Sequence, residues 1–355
     1  AEARRAMIRT AEATLSCKFD GEPLIVGTSG RYEFRNKGID IFLDALKQLA
    51  ETDALDREVL VYITVPSATT GPRKDLQAHL ADENSPIDPK QNRFCTHYLE
   101  HPEWDQILNS IAGSVLANPS SKVKVVFVPT YLNGRDGIFD KSYYELLVGM
   151  DMTLFPSYYE PWGYTPLEST AFSVPTLTTT LAGFGLWAGS QGEHEGVTLV
   201  ARNDDNYAEA AREIAKALLH FTKYTPQEVE IARNAAAELS RTALWSELYA
   251  AYEKAYSEAI ERSVTRTNRA VLNDGGGTTE QINFVRQQLI TEKPHWNRVM
   301  VEKVLPKRLH ALEVLSHNLW WSWTSGARDL FEYIDQKLWS ECEKNPIVFL
   351  DRLPL

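Results

Sequence analysis

Six short runs rich in β-branched and aromatic residues, set apart by helical stretches, constrain this chain more than any other feature. They are LIVGT (24–28), LVYITVP (60–66), VKVVFVP (123–129), MTLFP (152–156), PTLTT (175–179) and GVTLVA (196–201). Most are apolar along nearly their whole length, which suits strands buried on both faces rather than a sheet wetted on one side. Helical patterns separate most of them. Between the first two runs, Ile39, Phe42, Leu43, Leu46 and Leu49 recur at helical spacing. The alternation specifies an α/β fold: a parallel sheet with helices on both faces. Residues 1–18 read as a helix. The stretch 67–100, rich in Pro, Asp and Asn, reads as an irregular excursion, and about 206–262 as almost entirely helical.

Past that helical region, TNRAVLNDGGGTTE breaks the pattern, and Gly275, Gly276 and Gly277 mark a flexible linker. Three parts are expected: a ligand-binding domain over 1–262 ending in a long helical region, a linker over 263–290, and a small appended helical segment over 291–355. That segment differs in composition and is rich in Trp. The formal charge of −11 argues against nucleic acid or an anionic membrane as main partner, though a local cationic cluster can still hold a small anion. Cys17, Cys95 and Cys342 are far apart and without CxxC spacing, which favours a reducing compartment over a disulfide framework or a zinc site. With no secretory signal and no apolar run near about 18 residues, a cytoplasmic location with no membrane partner is expected. The chain starts at Ala1 and stops at Leu355, and both ends read as cuts through a longer protein.

Two stretches carry candidate chemistry. GTSGRYEFRNKG (27–38) follows a strand and precedes a helix. In a parallel sheet such a loop lies at the carboxyl end, so Arg31 and Lys37 beside a helix N-terminus form a cradle for a diphosphate. Solvated loop charges are the competing reading. FPSYYEPWGYTPLEST (155–170) holds Glu160 and Glu168 across a turn with Pro161, Gly163 and Pro166. Thr165 suits an N-cap, Pro166 the first helical position, and Glu168 the third, which would complete a capping box. A third, weaker candidate is LAGFG (181–185), where glycines around Phe184 permit close approach of the backbone. A plain tight turn is the better reading of it.

SGRYEFRNKG, the CTH of 95–97 with DQIL after it, VKVVFVPTYL, and above all FPSYYEPWGYTPLE with the later TTTLAGFG resemble the signatures of family 3 glycosyltransferases, the eukaryotic type of glycogen (starch) synthase. The match runs in order from about 20 to 260 and covers the C-terminal, Rossmann-like half of a GT-B enzyme. The other half of the cleft lies in an N-terminal domain that this chain lacks. The resemblance implies that Arg31 and Lys37 neutralise the diphosphate of a sugar nucleotide and that Gly30 belongs to the same loop. It places Glu160 beside the donor glucose. Trp162, Gly163, Tyr164 and Thr165 would meet sugar and phosphate mainly through backbone. Glu168 would reach the ribose, in competition with its capping role, and Tyr143 would stack on the base, in competition with a core role on the helix YYELL. Asp151 stands where the family often has His, so it should point away from the diphosphate. The helix 225–245 retains only Arg233 and Arg241 of a dense arginine cluster that binds glucose 6-phosphate in eukaryotic members, which puts that site in doubt.

The activity implied is transfer of glucose, with retention, from UDP-glucose or ADP-glucose to the non-reducing end of an α-1,4-glucan. No resident cofactor and no metal is implied. The choice between UDP and ADP and the oligomeric state stay open. The alternative is a non-catalytic module that binds nucleotide or glucan and regulates a partner. LPKRLHALEVLSHNLWWSWTSGARDLFEYIDQKLW (305–339), with Asn318, Trp320, Trp321 and Trp323, resembles the start of a bacterial-type α-glucan phosphorylase. The implied arrangement is a fusion of synthase and phosphorylase, with the pyridoxal phosphate lysine of the latter outside this chain.

Overall fold

The computed structural model describes residues 1–192 and 194–273, with side chains through Arg262. The chain divides into two units, Ala1–Glu247 and one beginning at Leu248. The first is built on a six-stranded sheet of β1 (Leu24–Ser29), β2 (Val59–Thr64), β5 (Val123–Phe127), β6 (Met152–Phe155), β7 (Thr176–Thr179) and β8 (Val197–Val200), in the order β5-β2-β1-β6-β7-β8. Every neighbouring pair is parallel. All six apolar runs are therefore strands of one parallel sheet.

Side chains alternate across a strand with period two, and the core divides accordingly. Leu24, Val26, Val59, Val61, Ile63, Val123, Val125 and Phe127 face one cluster. There they meet α2 (Ile39–Ala50), α4 (Gln106–Ala112) and α8 (Tyr207–Phe221). Ile25, Leu60, Tyr62 and Val126 point the other way, toward α1 (Glu2–Leu15) and α5 (Tyr143–Leu147). Both faces are dry over most of the sheet, β8 at its edge being partly exposed, so the inner strands read as continuous apolar runs. A third cluster holds Phe184, Ala188 and Leu239, with Trp162 and Trp187 against it. It joins α7 (Gly183–Ser190) to α9 (Pro226–Arg241), while α6 (Tyr164–Ala171) also packs on α9.

The excursion at 67–100 is more ordered than its composition suggests. β3 (Thr69–Pro72) pairs antiparallel with β4 (His97–Leu99), and α3 (Lys74–Ala81) lies between them. Buried Arg73 ties it together, donating to both oxygens of Asp75 and to the carbonyls of Asn92 and Cys95. A polar stretch thus folds around a satisfied guanidinium instead of an apolar centre. The long helical region is present as α8, α9 and α10 (Trp245–Asn273). The second unit is described only as far as α10 carries it, and this helix runs through 263–273. The Gly triplet at 275–277, Cys342 and the appended segment 291–355 lie outside the described residues. Among the described residues no helix is long and apolar enough to cross a membrane.

Candidate functional site

Strand order reverses between β1 and β6: the chain winds outward from β1 through β2 to β5, then returns to β6 on the other side. In an open parallel sheet, the loops leaving the two strands at such a point splay apart and leave a crevice at their carboxyl ends. The loop after β1 carries Gly30, Arg31 and Lys37, and the loop after β6 carries Glu160 to Gly163. Two constellations more than a hundred residues apart are brought together by topology.

Lys37 and Glu160 meet as an ion pair, both side chains largely shielded from solvent. Arg31 stands apart, 75% exposed, with its guanidinium 2.9 Å from Glu33 of its own loop. Asn36 donates its side-chain amide to Glu33 at 2.7 Å. Gly38 caps α2 in the left-handed region at φ 69°, and a Cβ there would overlap the Pro156 carbonyl. The N–H of Tyr158 donates to the carbonyl of Asn36 at 2.8 Å, so the two loops touch twice beside the ion pair.

Glu160 is fixed by its backbone. Its N–H donates to Leu181 and its carbonyl accepts from Gly183. A Cβ on Gly183 would overlap the Pro161 carbonyl. The LAGFG glycine therefore admits the neighbouring loop, and no ligand is needed to explain it. The Trp162 ring packs edge-on against Phe184 at 6.1 Å and beside Trp187 at 5.8 Å. That anchor holds the Trp162 ring in this cluster, and its carbonyl accepts from the N–H of Phe184 at 2.6 Å.

The expected capping box at Thr165 is absent. Gly163, at φ 108°, is the N-cap, α6 begins at Tyr164, and no side chain caps it. Pro166 then falls third in the helix, where its missing N–H removes only one of the four donors that have no helical acceptor. The N–H groups of Tyr164 and Thr165 are two more of those first-turn donors. Tyr164 is 67% exposed. Released from capping, Glu168 accepts a hydrogen bond from the Tyr144 hydroxyl at 2.9 Å. That bond holds the Tyr144 phenol above its ordinary pKa.

Tyr143 is half-buried against the α1–α5 side of the core. Its hydroxyl accepts from Ser29, the last residue of β1, at 2.8 Å, and burial pushes its phenol up to about 12. The exposed ring is that of Tyr144, stacked on Phe172 at 5.0 Å. Tyr144, Gly38 and Asn36 were missed by sequence reasoning, although a glycine just before a helix is a readable N-cap.

Asp151 does point away. It precedes β6 at the amino end of the sheet, where it accepts from Arg4 at 2.7 Å and from the N–H of Ile25 at 2.8 Å. Arg233 donates to the carbonyls of Met150 and Ser173 and lies 3.8 Å from Asp151. Arg241 is exposed at the end of α9, about 12 Å along the axis from Arg233. The two guanidinium groups do not converge.

A parallel sheet with its charged, glycine-containing loops at the switch point defines a Rossmann-like domain of the GT-B type. The family described as "Glycogen synthase" matches residues 76–307, more than half of the chain, and the chain belongs to that family. It is similar to the glycogen [starch] synthase of Neurospora crassa, 28% identical over 305 residues, covering 69% of this chain and 43% of the relative. The enzyme of that name from Caenorhabditis elegans is 28% identical over 292 residues, covering 66% and 43%. The human liver glycogen [starch] synthase is 27% identical over 327 residues, covering 76% and 46%. The chain spans less than half the length of these relatives. A second family, described as a protein of unknown function (DUF3417), matches residues 305–355.

Proposed function

We propose that this chain forms the donor-binding side of a retaining glucosyltransferase that extends an α-1,4-glucan from UDP-glucose or ADP-glucose. The observation that carries the reading is the ion pair of Lys37 and Glu160 across the switch-point crevice. A cation for the leaving diphosphate and a carboxylate for the glucose hydroxyls already stand side by side there. Arg31, exposed on its loop beside Glu33, adds a second cation. The amide groups of the 162–165 turn supply donors at a helix N-terminus. Tyr143 with Tyr144 forms the aromatic edge for the base, and Glu168 the acceptor for the ribose.

In the proposed step the bond from glucose C1 to the diphosphate oxygen breaks as a bond to the acceptor hydroxyl oxygen forms on the same face. The acceptor proton passes to the departing diphosphate. Catalysis by these residues is charge stabilisation and alignment. Calorimetric titration of the chain with UDP, ADP and their glucose conjugates tests the reading. Removing two charge-assisted contacts in Arg31→Ala/Lys37→Ala should weaken nucleotide binding by about 3 kcal/mol or more. Equal affinity in the double variant and the parent would sink it.

We read 1–262 as this domain, 263–290 as a linker whose first part continues α10, and 291–355 as the opening of a phosphorylase-like domain fused to it. The gene beyond Leu355 decides the last point: a stop codon there, with no pyridoxal phosphate lysine site downstream, would end it.

A further inference from the structure

Behind the ion pair lies a charged group that no motif singles out. Arg202 follows β8 and is only 5% exposed. Among the described residues no carboxylate lies within ion-pair distance of it. Burying a guanidinium without such a partner is unfavourable unless other groups compensate, and here three do. It donates through Nη1 to the Pro156 carbonyl. Its Cζ sits 5.2 Å from the centre of the Tyr158 ring. Asp40, in the first turn of α2, supplies the strongest opposing field. The backbone of Arg202 is itself pinned, exchanging hydrogen bonds with the Thr180 hydroxyl at 3.0 and 3.2 Å.

The place where this side chain ends gives it significance. Pro156 leads the 156–160 loop, and its carbonyl lies hard against Gly38. A Cβ on Gly38 would lie 3.1 Å from Arg202 Nη1. One guanidinium thus meets, at one point, the start of the Glu160 loop and the residue after Lys37. Tyr158, under the same guanidinium, donates its N–H to Asn36, the residue before Lys37, and its hydroxyl to Asp204. Arg202 touches none of the groups assigned to the donor.

We propose that Arg202 is a positioning residue that clamps the loop after β6 onto Gly38 and so sets Lys37 opposite Glu160. The inference rests on the donor-site reading above for its functional consequence, though not for its geometry.

Two measurements on the full chain test it. The first follows reductive methylation of Lys37 without ligand, read by mass spectrometry of its peptide. Arg202→Met should raise the rate several-fold, because Lys37 loses its fixed partner, and Arg202→Lys, which keeps the charge but not the planar fork, should fall between. The second is titration with UDP-glucose and with UMP. Arg202→Met should weaken UDP-glucose by about tenfold and leave UMP unchanged, since only the diphosphate and glucose groups meet the displaced pair. Parental values for both measurements in Arg202→Met would overturn the proposal. Equal loss of both ligands with unchanged Lys37 labelling would also overturn it, as general weakening. If Arg202→Met does not fold, Arg202→Lys decides alone, and a parental labelling rate there overturns the clamp. A parent chain that binds neither UDP-glucose nor ADP-glucose would remove the donor-site reading, while the labelling would still decide the clamp.

Discussion

Lys37 is already neutralised by Glu160, so on the proposed reading an incoming diphosphate competes with a carboxylate for the same ammonium. Glu160→Gln removes the competitor. UDP without glucose should then bind tighter, by up to about fivefold for a half-shielded pair worth about 1 kcal/mol. The preference for UDP-glucose over UDP should fall at the same time, because the glucose loses its carboxylate. Calorimetry on the variant reads both, and weaker binding of UDP would refute the competition. Gly38 gives a second, purely conformational prediction. An L-residue at φ 69° costs about 1–2 kcal/mol, and here its Cβ would also overlap the Pro156 carbonyl. Gly38→Ala should therefore destabilise the chain by about 2–4 kcal/mol in urea denaturation, and a loss below about 0.5 kcal/mol would show that the loops part freely. The resemblance pointed to Lys37 and Glu160 one by one but not to their pairing, and the contact at Gly38 was not visible in the sequence. NKG announces a cap, but the carbonyl it must admit comes from a residue more than a hundred positions away.

Elements were legible where burial alone decides them, and less so where polar groups do. The six strands follow from runs that only a doubly covered sheet can hide. The capping box at Thr165 was misplaced because local chemistry, Thr-Pro-x-Glu, competes with tertiary packing. The Trp162 ring is anchored against Phe184 and Trp187, and the left-handed Gly163 next to it starts the helix two residues early. The β3–β4 ribbon was missed because its hub is Arg73 and not an apolar residue. In β4, His97 is buried, with Nδ1 2.9 Å from the Thr96 hydroxyl and Nε2 3.0 Å from the Asp136 carbonyl. That arrangement suits a neutral ring donating from Nε2. Burial lowers its pKa below the ordinary value, against the opposing pull of Asp136. A histidine whose folded pKa is depressed adds stability in full above the unfolded value of about 6.5, and that stability is lost as pH falls below it. Urea midpoints should therefore drop between about pH 7 and pH 5 by more in the parent than in His97→Gln. Parallel pH profiles would show that His97 does not titrate between the folded and unfolded states.

At the scale of the molecule, the arrangement separates binding from turnover. The groups proposed for the donor lie on the loops and helices that follow the strands of one sheet, within Ala1–Glu247. On the proposed reading they meet a nucleotide sugar within that unit. Glucosyl transfer asks for more: water must be kept from the anomeric carbon and an acceptor hydroxyl must be held in line, and in a GT-B enzyme a second domain closes the crevice to do so. This chain spans 43–46% of its relatives, and on the proposed reading the second wall of the crevice belongs to the part of those relatives that it does not cover. The 355-residue chain should therefore bind UDP-glucose or ADP-glucose yet incorporate no labelled glucose into glycogen above the level of a Lys37→Ala control. Supplying the N-terminal half of a family member that pairs with it should raise incorporation, and Glu160→Ala in the present chain should abolish the gain. Glycogen labelled efficiently by the chain alone would mean that the loops after β1 and β6 exclude water and hold the acceptor unaided, and the division of labour between two halves would have to be abandoned.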